Sequence, residues 1–471
     1  VIFMNSVAHS VARPIPWPVW RLAIVIVFGA FMSGLDTSVV ALGLDTVAAD
    51  LDSDLARTQW VANGYLLALA VSLPASAWVG RRIGVGRLWL IALTVFTVAS
   101  GLCAAAGSIG WLIALRVIQG LAAGLLIPTG QTILGQAVGP DRLGRVMATL
   151  GIAVTLAPAL GPSVGGLLLT IASWQWLFLI NLPLGAIGLT LGCRYVPRGA
   201  RADAGPLDVT GLVLLSSGLP LIVYALTAWT EGRTADPRSL ALLGLGAALL
   251  LAFGAHARRV PRPVLNIRLF TDPLYAAAAA TAAFTGAAMF GAGVLFPLYY
   301  QVGRGADVLD TGLLLISMSA GTALLLPCSG WLVDRYGGGV VALAGAVAMV
   351  VTTAPFALLP LDVEEPLLQA LLLVRGMALA LTAVPATVTA YRAVTVDRLP
   401  DATTQINILQ RLGGALGGAV FAVVVASRLP DGPAPAFHAA FWHLVAASAA
   451  ALLAAAWMTV VERRRAPVAP H

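Results

Sequence analysis

A lone carboxylate in an apolar stretch is the feature of this sequence best placed to do chemistry. Asp36 stands in GLDTSVVALGL, residues 34–44, directly after RLAIVIVFGAFMS. In hydrocarbon a charged side chain costs at least about 2.5–3.5 kcal/mol on insertion scales, so it must face a watery cavity or a partner. Ser33, Asp36 and Thr37 fall at i, i+3 and i+4 and form one polar stripe on a helix. Arg116, in LIALRVIQG, is a second embedded charge whose face Gln119 and Gly120 continue. Burial and a neighbouring guanidinium act in opposite senses on a carboxyl group's hold on its proton. That suits Asp36 and Arg116 to proton coupling; the alternative is a permanent ion pair that only staples helices. A second stripe, Asn407, Gln410, Arg411 and Gly414 at i, i+3, i+4 and i+7, should face a cavity, for substrate contact or interhelical hydrogen bonding. Tyr65 is expected at the cavity mouth. The five histidines form no HExxH pattern, and Cys103, Cys193 and Cys328 stand singly, so no metal site, cofactor or catalytic constellation is expected.

These residues need elements to hold them at depth. Of 471 residues 59% are hydrophobic and 10% charged, against about 25% charged in soluble domains. The chain is therefore an all-α membrane protein, with apolar runs at 21–44, 59–80, 88–107, 111–135, 146–170, 174–195, 207–228, 239–257, 274–300, 311–333, 340–359, 367–391, 403–427 and 438–461. Fourteen spans put both termini on one side. All 28 basic residues are Arg; 20 fall on the side of the termini, five opposite and three inside spans, so both termini are expected in the cytoplasm. The net charge of +7 follows from this topology and calls for no nucleic acid. No cleavable signal is seen, and residues 1–20 read as an interfacial lead-in. Of 21 acidic residues only Asp36 lies well inside a span. At 1.5 Å per residue, Asp36 and Arg116 both sit roughly 22 Å from the inner edge of a core about 30 Å thick.

The chain also repeats itself. PASAWVGRRIG, 74–84, matches PCSGWLVDRYG, 327–337, at an offset of 253, and GPSVGG, 161–166, matches GGALGG, 413–418. Two six-helix bundles, 1–195 and 274–471, are expected, joined by a linker of 196–273 that carries two inserted spans. Paired copies around a central cavity are an architecture of secondary transporters.

On GLDTSVVALGL, WVANGYLLALAVSLP, LRVIQGLAAGLLIPTG, PALGPSVGG, WQWLFLINLPLG and GWLVDRYG the chain resembles the major facilitator superfamily, and within it the fourteen-helix drug:proton antiporters. The resemblance implies a gating role for Pro158, Gly161, Pro162, Gly165 and Gly166, and for Gly330, Asp334 and Arg335 in the loop motif. The first copy of that loop departs from the pattern, with Ala77 and Arg81 where the family usually has Gly and Asp. The implied function is a proton-coupled antiporter in a bacterial cytoplasmic membrane, working as a monomer. It would export amphiphilic, cationic drugs or antibiotics, or alternatively a single endogenous metabolite, siderophore or lipid. Ser33, Thr37, Tyr65, Gln119, Asn407, Gln410 and Arg411 are its expected cavity residues. A single buried acid suits lipophilic monocations, while the embedded arginines leave anionic and neutral cargo open.

Overall fold

Long apolar runs satisfy their backbone groups away from water by coiling into helices, and the regular elements of the described residues are all helical. The computed structural model describes residues 15–139, 142–230 and 236–465, with side chains at 55–56, 153–156, 158–159, 162–163, 227–230 and 308–309 left outside the description. The lead-in residues 1–14, with His9 and Arg13, and Arg233 and His471 lie outside the described residues.

The long helices are α1 (Trp17–Leu42), α2 (Trp60–Ser72 with Ala75–Ile83), α3 (Val85–Ala104), α4 (Ile109–Val138), α5 (Leu143–Ile171), α6 (Asn181–Tyr195), α7 (Val209–Thr230), α8 (Pro237–Arg259), α9 (Pro273–Leu298), α10 (Ile316–Tyr336), α11 (Gly338–Leu358), α12 (Glu365–Arg392), α13 (Leu399–Arg428) and α14 (Pro433–Arg465). Among the described residues twelve spans are long and apolar enough to cross a bilayer, and the two pieces of α2, meeting at 59°, make a thirteenth. Helix α5 runs for 29 residues and is compatible with the fourteenth. The break in α2 falls at Pro74, which lacks an N–H and crowds the preceding turn. Its far end stops at Gly84, φ 97°, and the matching α10 stops at Gly337, φ 86°. That left-handed backbone favours glycine at both repeats of the loop.

Packing repeats as the sequence does. In α1–α6, α1 lies on α5 and α6, α4 on α2 and α3, and α3 on α6. In α9–α14, α9 lies on α13 and α14, α12 on α10 and α11, and α11 on α14. The sets meet where α5 packs on α10 and α12, and α4 on α13. One apolar core, through Leu143, Met147, Leu326, Val333 and Leu399, joins them. It lies at the end that carries Arg81, Arg82, Arg145, Arg335, Arg392 and Arg398, at helix ends and in a connection. At the opposite end each set keeps its own core, around Trp174 and Phe178 in one and Phe296, Phe356 and Phe441 in the other.

The inserted hairpin is no bystander. Helix α7 packs on α8, α2 and α13 and so covers the seam between α2 and α13. Ser216 donates to the Val71 carbonyl at 2.8 Å, and the Trp60 and Tyr224 rings stack with centroids 5.8 Å apart. At the hairpin's base, Asp208 accepts from Gly211 N at 2.8 Å and Val264 N at 3.1 Å and bonds His256 Nε2 at 2.7 Å. Burial pushes the Asp208 carboxyl up, but these hydrogen bonds outweigh it and hold the group below the usual carboxylate range. The stabilisation this gives is present above the ordinary carboxylate pKa and is lost as pH falls through the lowered one.

Candidate functional site

Asp36 projects from the middle of α1 and is 1% exposed, as is Arg116 on α4. Arg116 Nη1 donates to Asp36 Oδ2 at 2.5 Å. Gln119 Nε2 and Asn181 Nδ2 donate to Oδ1 at 3.0 and 2.9 Å. The guanidinium is held in turn by the Val61 carbonyl, 3.0 Å from Nε, and by Gln119 Oε1, 2.8 Å from Nη1. Its carbon lies 4.1 Å from the centroid of the Tyr65 ring, a cation–π contact in a desolvated place. Tyr65 and Ser33 share a hydrogen bond of 3.1 Å, and Thr37 donates back to the Ser33 carbonyl at 2.9 Å. The spacing on α1 and α4 brings Asp36, Arg116 and Gln119 to one level, as the helical rise requires. Asn181, a residue that sequence alone did not single out, is a direct partner of the carboxylate. It also donates to Ser100 Oγ at 3.0 Å. The signal for it was a lone amide in the apolar run WLFLINLPLG.

The second set lacks this pair. Arg375 on α12 answers to Arg116, but the stretch of α9 that answers to Asp36, residues 288–292, holds no carboxylate. Arg375 is 3% exposed and does not snorkel. It bonds Thr353 Oγ1 and donates to the Ala288 carbonyl at 3.1 Å, at the level where an acid would stand.

Two cavities adjoin this frame. One, of about 350 Å³, lies among α2, α7, α9 and α13; the other, of about 160 Å³, lies among α4, α5, α9, α10, α12 and α13. Arg411 and Phe290 line both. Asn407 and Gln410 join Arg411 on the smaller, as their spacing required. Asn407 Nδ2 donates to Gln131 Oε1 at 2.6 Å, and Gln410 Nε2 lies 3.5 Å from Thr387 Oγ1. Ser33, Thr37, Tyr65 and Gln119, expected at the cavity, are not among the walls of either. The ion pair draws Ser33, Tyr65 and Gln119 into its own buried network, because a desolvated charge recruits every donor in reach.

The small residues of α5 seat it on α1. A Cβ on Gly161 would run into Ser38, and one on Gly165 would lie 3.3 Å from Leu42 Cδ2. The side chains of Pro158 and Pro162 lie outside the described residues. At the arginine-rich end Gly330 meets Gly144 backbone to backbone. Asp334 accepts from Gly144 N at 3.0 Å, Arg145 Nε at 3.1 Å and Arg392 Nη2 at 2.7 Å. A carboxylate here also meets the positive N-terminal end of α5. Arg335 does not join them; it is exposed and stacks on Trp331 and Tyr336 of its own helix. The other copy of the loop is charge-inverted. Arg81, in the place of the acid, reaches Asp401 at the start of α13, 2.9 Å away. Arg81→Glu is expected to oppose two carboxylates there and to cut transport about fivefold, for a partly exposed bridge worth about 1 kcal/mol. Adding Asp401→Arg should restore it, and a double-mutant cycle on transport rates measures both.

Two copies of one helical packing pattern with cavities at their junction are an architecture of secondary transporters. The chain belongs to the Major Facilitator Superfamily, whose family model matches residues 26–418. It is 34% identical over 409 residues to the Multidrug resistance protein B homolog of Mycobacterium tuberculosis strain H37Rv, covering 86% of this chain and 76% of that one. It is 30% identical over 408 residues to the uncharacterized transporter YebQ of Escherichia coli, covering 85% and 88%. The fold is shared with the proton:xylose symporter XylE, at a TM-score of 0.64 and 14% identity, over 94% of this chain and 95% of that one.

Proposed function

We propose that this chain is a proton-coupled antiporter that exports amphiphilic small molecules, drugs or antibiotics among them, across a bacterial cytoplasmic membrane by alternating access. Its two bundles, 1–195 and 274–471, would rock about the central cavities, with both termini cytoplasmic as the arginine bias favours. The repeated packing pattern supports that division, and the M. tuberculosis relative's name supports the cargo class.

The observation that carries the coupling is the Asp36–Arg116 pair, 2.5 Å apart and sealed from solvent. Neutralising Asp36 leaves Arg116 desolvated without a counter-charge, which favours a rearrangement of α1 against α4. With the arginine-rich end placed in the cytoplasm, the joined core there supports reading this conformer as outward-facing. In the proposed cycle Asp36 takes a proton from outside when its sealed network loosens as cargo leaves; the proton departs once the opposite face opens. Each proton contributes about 1.36 kcal/mol per pH unit and about 2.3 kcal/mol per 100 mV. With both Asp36 oxygens engaged inside the first bundle, the carboxylate does not speak for cationic cargo.

The test is Asp36→Asn in proteoliposomes with an imposed pH gradient. Gradient-driven transport should fall to background while the protein is inserted and monodisperse. Coupled transport at the wild-type rate would remove Asp36 from the role.

A further inference from the structure

Arg411 is a cation without an anion. It sits mid-way along α13, partly buried, and among the described residues it makes no hydrogen bond or ion pair. Arg116 and Arg375, the other arginines inside spans, are each held by three or two named acceptors. No Asp or Glu lines either cavity that Arg411 faces. In the larger cavity every other wall residue among the described ones is apolar, contributed by α2, α7, α9 and α13. In the smaller, Thr285 Oγ1 is buried and has no hydrogen-bond partner among the described residues. A fixed positive fork and an unengaged hydroxyl are both donors, and an anion with several oxygens would satisfy both. The adjoining space of about 350 Å³ falls within the roughly 300–1,000 Å³ of small-molecule pockets, and its walls suit a hydrocarbon tail.

We propose that Arg411 is the head-group site for amphiphilic anions, carboxylates or sulfonates, whose apolar bodies lie in the cavity roofed by α7. The charge of the cargo is thus set on α13, away from Asp36, and the inserted hairpin supplies part of the tail pocket through Leu219, Val223 and Leu226. That the bound molecule is cargo rests on the exporter reading; that it binds here does not.

The experiment compares two ions with one tail, radiolabelled decanoate and decyltrimethylammonium, binding to the full chain in nanodiscs, with empty nanodiscs subtracted. Decanoate should bind at least tenfold more tightly. Arg411→Gln should erase that preference, Arg411→Lys should keep part of it, and Val223→Trp should weaken both ions by filling the tail pocket. Since Arg411 makes no hydrogen bond or ion pair among the described residues, Arg411→Gln should melt at the wild-type temperature. Equal binding of the two ions, decanoate binding untouched by Arg411→Gln, or a melt lowered by it would each overturn the proposal. Binding is read without a proton gradient, so a failed exporter reading leaves these results standing. Gradient-driven efflux of a decyl cation that ignores Arg411→Gln would sink this proposal alone.

Discussion

Arg116→Met is expected to cost about 3–5 kcal/mol of stability, the usual penalty for stranding one member of a buried pair. The carboxylate of Asp36 would keep only Gln119 and Asn181 as donors, in a place 1% exposed. The double variant Asp36→Asn/Arg116→Met should regain most of the loss, because the pair's desolvation cost disappears with its attraction. Unfolding midpoints in detergent give the first result and the recovery. The same double variant separates coupling from stapling. A stable protein that no longer follows a pH gradient shows that the charges do more than hold α1 to α4. Gradient-driven transport restored along with stability would reduce them to a staple.

The second large effect is expected at the glycine contact of α5 and α10. A Cβ on Gly330 would stand 2.5 Å from the Gly144 carbonyl oxygen and 2.8 Å from Arg145 Cα. A Cβ on Gly144 would stand 2.5 Å from the Gly330 oxygen. Both are backbone contacts that no rotamer change relieves. Gly330→Val therefore prises the arginine-rich end apart and takes Asp334 away from Gly144 and Arg145 on α5, leaving it Arg392 of its own set. Overpacking of this kind costs about 1–3 kcal/mol, which shifts a two-state population by roughly 5–150-fold. Spin labels at the exposed positions Arg82 and Arg398 read the change. Their distance distribution should gain a longer component in Gly330→Val, and an unchanged distribution would exclude a gating role for this contact.

Most of the frame was legible because the bilayer constrains it. Span length, the arginine bias and the rise per residue placed Asp36 opposite Arg116, and the i, i+3, i+4 rule gathered Asn407, Gln410 and Arg411 on one wall. What could not be read were meetings between distant segments. Arg81 showed only as a departure from the loop pattern because its partner, Asp401, stands 320 residues away at the start of another helix. Asn181 was understated because one amide in an apolar helix has many available neighbours. Tyr65 was expected at the mouth by its depth, but depth says nothing of azimuth, and its ring turns to Arg116. The emptiness around Arg411 has no sequence signature, since a missing partner shows only when every neighbour is known.

One consequence follows from Asp36 being walled off from both cavities. In the proposed cycle proton and cargo would share no atom, so exchange would not arise from two ions contending for one carboxylate. Each must be sensed at a distance, through a route such as Tyr65, which touches Arg116 on one side and is bonded along the chain to the cavity wall residue Leu66 on the other. Such thermodynamic linkage is symmetrical: whatever factor protonation takes from cargo affinity, bound cargo takes from proton affinity. A tight-binding inhibitor of this protein would therefore make it a stronger acid, or a weaker one, without ever touching the acid itself.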